Sequence, residues 1–301
     1  HLHVVVDAAA RHRHPEETGV AARWSTATHR RVVFCYGRFL GWLQRRGLLA
    51  ATNSGLELLQ PEVMKAYVAD LTAVNASYTV LGHIEVLRRY IAAVRPELRL
   101  DWLHHLEGAL RRAARPQQDK RARLQSIQDL VALGETIMAH ARQEASTSAR
   151  GLTSYRNGLM LAFLALRPLR LKNFTGLTVG GSLRRIEGVW WILMDAMETK
   201  THQPIELPFP TQLVPALDHY LGTVRPALLQ RRGRWHGPVG HNLWISDHGG
   251  PMTPAGIYRQ ITTRTRQAFG RSVNPHLFRA AAATSRSMLF ISGTPGGISS
   301  R

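Results

Sequence analysis

The chain has a single cysteine, Cys35, in 301 residues. Neither an intrachain disulfide nor a zinc cluster built on cysteines is possible within this sequence, and a reducing compartment is the default. Long apolar runs are also missing. The longest, Leu159 to Leu166, falls far short of the roughly 20 residues that a bilayer-spanning helix needs. The opening residues carry His1, His3 and Asp7 in place of a basic start and an apolar stretch, so no secretory leader is expected there. The chain opens on His and not Met, and a fragment or a conceptual translation is expected. Acidic residues are scarce. Twenty Asp and Glu face 39 Lys and Arg, a formal charge of +19 with a pI near 11.4. That imbalance makes a polyanion the expected partner, because each neutralised phosphate releases condensed counterions. The excess is mainly Arg, whose planar fork suits phosphate oxygens. A basic surface without a ligand, or an Arg-rich codon bias, would give the same totals.

What is present is a normal globular share of hydrophobic residues, 44%, on a chain long enough for two domains with separate cores. Residues 1–20 read as a flexible leader rich in His and Arg. From Trp24 the pattern turns helical: Val32, Val33, Tyr36, Phe39, Leu40 and Leu43 recur at three- and four-residue steps, and Gly47 supplies a stop. Further helices are predicted from Pro61 to near Asn75, from Ser77 to Val94, and from about Trp102 to Ala114. Residues 21–115 thus form an all-helical module. Arg111, Arg112 and Arg115 crowd the end of its last helix, which suits the helix dipole. The polar, proline-broken residues 116–122 read as a linker, leaving 123–301 as a second domain. There, helices are predicted from Ile127 to about Glu144 and from Ser154 to Leu166. The period then changes. Val189 to Leu193 and Ile205 to Leu207 read as strands, with Glu198 to Gln203 as the turn between them. Helices return from Leu213 to about Val224, from Pro254 to about Phe269, and from Pro275. The expected fold is mainly α with a small antiparallel β-sheet.

Three separated places share one chemical logic. Arg170 follows the apolar helix, Lys200 sits on the tip of the predicted hairpin, and His276 and Arg279 lie three apart at a helix start and so share a face. Two Arg forks, a Lys and a His around one phosphodiester would neutralise its oxygens and the added charge of a pentavalent transition state. Lys200 or His276 would supply a proton to a leaving oxygen. That chemistry requires no metal, and no cofactor is expected. Taken singly, each signal has a plainer reading: a solvated helix end, an exposed turn lysine, a chance His-x-x-Arg. Their order carries the argument.

In that order the chain resembles the catalytic domain of the tyrosine recombinases, the phage integrase family. Pro168 to Leu177 takes the place of the family's first Arg box. Thr199-Lys200-Thr201 with Ile205-Glu206-Leu207-Pro208 takes that of its hairpin Lys. Leu243 to Ser246, Gly249-Gly250-Pro251-Met252 and Ile257 to Phe269 match the strand, turn and helix before Asn274-Pro275-His276-Leu277-Phe278-Arg279, and Ala283-Thr284 follows. The helical residues 20–115 are similar to the family's core-binding domain. The resemblance implies strand cleavage and rejoining of double-stranded DNA through a phosphotyrosyl link, as in integration or excision by a mobile element. Arg170 and Arg279 would hold the phosphate, Lys200 would be the general acid, and His276 would assist proton transfer. Arg167 is a rival to Arg170, and Asn173 stands where an acidic residue is common.

The family also implies a Leu-Gly-His segment and a nucleophilic Tyr after the His-x-x-Arg box. All seven tyrosines here precede His276 and are expected to pack. The chain is therefore expected to be truncated before its nucleophile and inactive as a strand-cutting enzyme. Fraying after about Ser285 is expected, with apolar surface left uncovered. Family members act as tetramers on DNA through a C-terminal segment, and its absence leaves a monomer open. No membrane partner is expected, and the implied setting is a bacterial cytoplasm, on the nucleoid. The alternative is a non-catalytic DNA-binding protein that occupies recombination sites; an unrelated basic helical protein, such as an RNA-binding scaffold, is a third reading.

Overall fold

The computed structural model describes residues 24–49, 55–116, 124–144, 148–199, 201–231, 237–238 and 240–282. They separate into two compact units, one within residues 1–118 and one within 119–301, each with its own hydrophobic core. The leader, residues 117–122, Lys200, most of the loop 231–240 and everything after 282, including the segment expected to fray, lie outside the described residues.

The first unit is helical: α1 (Thr26–Arg45), α2 (Pro61–Val74), α3 (Ser77–Val94) and α4 (Asp101–Ala113). Ser25 caps α1 by accepting from the Thr28 N–H at 3.2 Å. One side of α1 buries Val32, Cys35, Tyr36, Phe39, Trp42 and Leu43, and the chain leaves it through Gly47 at φ 67°. Pro61 opens α2, where its missing N–H has no helical partner to lose. Asp70 of α2 accepts from Trp42 Nε1 and Arg46 Nη2, each at 2.7 Å. Between α3 and α4, buried Glu107 accepts from Arg88 at 2.6 Å and from Arg111 at 2.8 Å. Burial pushes the Glu107 carboxyl up, but the two guanidinium partners outweigh it and hold it below its ordinary range.

The second unit begins with α5 (Ile127–Gln143) and α6 (Ala149–Leu166). The α6 helix starts earlier than the sequence predicts, because Ser148 caps it through the Gly151 N–H at 2.9 Å. Every side chain from Leu159 to Ala165 is buried, as expected of a helix apolar on all sides. It lies against α5 at close range. A Cβ on Gly134 would sit 2.6 Å from the Gly158 carbonyl oxygen, and one on Gly158 would sit 2.6 Å from that of Gly134. The short helix α7 (Leu171–Thr175) leads to an antiparallel sheet of β1 (Leu183–Ile186), β2 (Val189–Met194) and β3 (Ile205–Pro208) in that order. Leu183 pairs with Ile192 and Met194 with Ile205; Leu183, Ile192 and Met194 are buried in the core and Ile205 packs against it, while Leu207 is exposed. Glu187 and Gly188, at φ 48° and 82°, form the two-residue turn whose twist matches the strands it joins.

A long helix runs on from β3 as α8 (Val214–His219), a π turn (Tyr220–Val224) and α9 (Arg225–Gln230). The sequence predicts an end near Val224, and the structure corrects this. The Arg225 N–H bonds the Tyr220 carbonyl five residues back. The wider turn relieves the clash that the Pro226 ring would otherwise make with the carbonyl four residues before it. Residues 243–246, expected as a strand, pair only at isolated bridges, Thr178 with Asn242 and Ile245 with Pro251. Pro251 has no N–H to continue the ladder. Trp244 fastens this segment instead, donating from Nε1 to the Phe174 carbonyl at 2.9 Å. Then come α10 (Pro254–Phe269), closed by Gly270 at φ 68°, and a final described helix, α11, over 275–282. The fold is mainly helical with a small antiparallel sheet, in agreement with the sequence. No described helix is long and apolar enough to cross a membrane.

Candidate functional site

Three segments of the second unit build the site. The first is the exit from α6. Leu169 is buried and pins the loop, so that Arg170 falls at the N-cap of α7 with its side chain partly open to solvent. Arg170 Nη1 donates to Thr201 Oγ1 at 3.4 Å, a long contact. Arg167 points elsewhere: its Nε donates to the Pro208 carbonyl at 3.0 Å and its Nη1 to the Leu166 carbonyl at 3.1 Å.

The second segment joins β2 to β3. A 3-10 turn (Ala196–Glu198) is closed by reciprocal capping, with the Asp195 N–H donating to Glu198 Oε2 at 3.0 Å. Thr199 is 3% exposed, and its hydroxyl bonds both the carbonyl and the N–H of Gln203, at 2.8 and 3.1 Å. The clasp fixes the base of the turn while Thr201 and His202 stand in solvent. Lys200 itself lies outside the described residues, between these two threonines.

The third segment is the start of α11. Thr265, fully buried, accepts from the Val273 N–H at 2.9 Å and fixes the approach. Asn274 Oδ1 then accepts from the N–H groups of His276 and Leu277 at 3.1 and 3.2 Å, so the asparagine is an N-cap and Pro275 the first helical residue. Leu277, Phe278 and Ala281 are buried, which turns His276 and Arg279 outward together. Arg279 Nη1 donates to the Pro168 carbonyl at 3.0 Å. Arg279 is thus bonded to the loop that carries Arg170, and Arg170 to the residue after Lys200.

Beside the α7 end of this site lies a cavity of about 230 Å³ lined by Lys172, Asn173, Gly176, Ser182, Met194 and Glu198. Asn173 is 7% exposed, and its Nδ2 has no hydrogen-bond partner among the described residues. Among those residues no three His, Cys, Asp or Glu side chains are grouped so as to hold a metal ion.

One supporting residue gives no signal in the sequence. Arg156, in the middle of α6, is 2% exposed and donates to the Ile245 carbonyl at 2.6 Å and to Asn157 Oδ1 at 2.9 Å. Asn157 in turn donates to Gln260 of α10 at 2.9 Å. Burial holds the Arg156 guanidinium below its ordinary pKa. The tyrosines divide. Tyr36, Tyr67, Tyr90, Tyr155 and Tyr220 are buried, and burial pushes Tyr36, Tyr67 and Tyr220 up to about 12. Tyr78 and Tyr258 are 57% and 43% exposed, so the expectation that all seven pack is wrong for these two.

No protein-family model and no curated protein matches the chain. Solved structures do. XerH site-specific recombinase bound to its palindromic difH substrate, in a post-cleavage complex, aligns over 90% of this chain and 72% of its own at 13% identity and a TM-score of 0.54. The pre-cleavage XerH–difH complex aligns over 90% and 74% at 12% identity, again with a TM-score of 0.54. The fold is that of the tyrosine recombinases. The likeness is one of backbone path.

Proposed function

We propose that this chain binds double-stranded DNA as a site-specific recombinase does, and that Arg170, Lys200, His276 and Arg279 hold one phosphodiester. The observation that carries the reading is the pair of hydrogen bonds from Arg279 to Pro168 and from Arg170 to Thr201. They tie segments more than a hundred residues apart in sequence into one cationic edge. Arg170 and Arg279 bind the non-bridging oxygens, Lys200 is the general acid, and His276 assists proton transfer. Arg170 is favoured over Arg167 because the Arg167 guanidinium is already occupied by two backbone carbonyls. On this reading residues 21–115 form a DNA-binding domain and residues 123–301 the phosphate-gripping domain.

Cutting requires a nucleophile, and no tyrosine in these 301 residues follows His276. The five buried phenols cannot reach a phosphate without unfolding their surroundings. Among these residues the reading assigns the grip on the phosphate and no nucleophile. The test is duplex binding followed by fluorescence anisotropy across a salt series. Arg170→Ala and Arg279→Ala each weaken binding, and the double variant flattens the log–log salt slope by about 0.9, the contribution of the one phosphate they share. A nicked suicide duplex, which traps phosphotyrosyl adducts, yields none. Absence of salt-dependent duplex binding defeats the whole reading, whereas a trapped adduct would assign the nucleophile to a tyrosine among these residues, of which Tyr78 and Tyr258 are exposed.

A further inference from the structure

Helix α1 carries four arginines and no carboxylate from Thr26 to Arg45. At about 100° per residue, Arg30, Arg31, Phe34, Arg38, Gly41 and Arg45 share one face, opposite the side that packs into the core. Phe34 stands out on that face. It is 61% exposed, while Tyr36, Phe39 and Trp42 of the same helix are buried. A phenylalanine left in water at the centre of a basic stripe is costly unless something covers it.

The neighbours of Phe34 hold it and its arginines in place. Its ring meets the edge of the buried His83 ring at 5.9 Å. His83 Nδ1 donates to the Thr79 carbonyl at 3.0 Å, and its Nε2 is buried without a hydrogen-bond partner. The Arg31 guanidinium lies over Gly82, where a Cβ would come within 2.7 Å of Nη2. Arg38 reaches Asn75 Oδ1 at 3.5 Å. Among the described residues no carboxylate pairs with Arg30, Arg31 or Arg38; Asp70, Glu85 and Glu107 are engaged with Arg46, Arg88 and Arg111. Gly41 adds a separate hint. A Cβ there would meet only Arg45 Nη1, at an ordinary 3.6 Å, so packing within the unit does not require glycine. A glycine in mid-helix weakens the helix relative to alanine, but it lets another backbone come close.

Resting on the reading that the chain binds duplex DNA, we propose that Phe34 is a specificity-determining residue that covers the 5-methyl group of a thymine in the major groove. Arg30, Arg31 and Arg38 bind the phosphates on either side, and Gly41 admits the sugar–phosphate backbone. The major groove is wide enough for a helix, displays the thymine methyl, and offers it to apolar side chains such as Phe. The minor groove displays no methyl group, and the major groove of duplex RNA is too narrow to read.

The test uses the full 301-residue chain and a randomised duplex DNA pool. Selection enriches a motif with a required thymine, and replacing that base with deoxyuridine, which lacks only the methyl, weakens binding roughly fourfold. Phe34→Ala binds the thymine and deoxyuridine duplexes equally and keeps the wild-type salt slope and, being a surface change, its thermal midpoint. Arg31→Ala and Arg38→Ala weaken binding to every duplex alike and flatten the slope by about 0.9 each. Gly41→Ala raises the thermal midpoint while weakening DNA binding, a pairing that a purely structural glycine would not show. Salt-dependent binding with no enriched motif, with no discrimination of thymine from deoxyuridine, or with discrimination that survives Phe34→Ala overturns this inference and leaves the DNA-binding reading intact. Tighter binding to the matching RNA duplex overturns the choice of DNA as ligand, and no duplex binding at all removes both proposals.

Discussion

Gly158→Ala is the sharpest test of how the second unit positions Arg170, because two opposing effects meet there. In an open helix the change would stabilise by about 1 kcal/mol through helix propensity. Here the new methyl would lie 2.6 Å from the Gly134 carbonyl oxygen, 2.8 Å from Met138 Cγ and 3.0 Å from the Met138 backbone nitrogen. Two of the three obstacles are backbone, so no side-chain rotation relieves them, and α5 and α6 must separate by several tenths of an ångström. Overpacking of this kind costs about 1–3 kcal/mol. The net expectation is a loss of up to about 2 kcal/mol, or a fall in Tm of up to about 8 °C for a domain of this size. Differential scanning calorimetry would follow the transition of the second unit. The double variant with Gly134→Ala should lose less than the sum of the two single losses, since the first change already opens the helix pair. A Tm raised by the amount that helix propensity alone would give would refute the close approach. DNA binding should weaken as well, because α6 leads straight into the loop that holds Arg170.

Arg156→Met should lower the urea midpoint by an amount equivalent to about 1–3 kcal/mol, with an unchanged m value, because the Ile245 carbonyl loses its buried donor. Thr265→Val strands the Val273 N–H, and the same range of cost is expected. Its local signature is faster hydrogen exchange at Leu277 and Phe278 and weaker DNA binding. His83 sets a pH dependence in the first unit. Burial first, with Arg38 and Arg31 adding to it, holds its imidazole below the ordinary 6.5. The unfolded chain then takes up a proton near that pH while the folded unit does not. Stability is therefore full above about pH 6.5 and falls as the pH drops toward the folded value. Urea midpoints at pH 7.5 and 5.5 should differ for the wild type and differ less for His83→Gln; equal differences would sink the assignment.

Helices with a clean apolar stripe were legible in the sequence to within a residue or two. α3 matches its predicted limits, ending shortly before Pro96, and α10 matches because Pro254 opens it and Gly270 closes it. The strand β1 has no such stripe. Leu-Arg-Arg-Ile is too short to show alternation, and only its pairing with β2 reveals it. The helix that runs past Val224 was hidden because a proline at 226 reads as a stop, and only a π turn makes it tolerable. Of the candidate site, Arg170, His276 and Arg279 are proposed from order and setting, and the structure bonds Arg279 to the loop that carries Arg170. Arg156 could not be found. A buried arginine whose partners are a carbonyl 89 residues away and an adjacent amide has no pattern in one dimension. Phe34 carries no signal in the sequence for a related reason: apolar residues that break a helical stripe look like noise until their exposure is known.

The π turn at Tyr220–Val224 gives its helix one residue more than a regular winding would hold. The surplus resets the phase, so that Tyr220, Val224 and Leu228 all point inward at a four-residue spacing that an ideal helix would let drift. Removing Gly222, which has open space around it, would let the segment rewind as a regular turn, with the Arg225 N–H then four residues from the Tyr220 carbonyl and the residues after it nearly in phase. Leu228 would stay in the core, and Arg225 would keep the Asn242 carbonyl that its guanidinium holds at 2.8 and 3.0 Å. The cost of such a deletion would fall on Pro226, whose ring would then meet the carbonyl one turn before it.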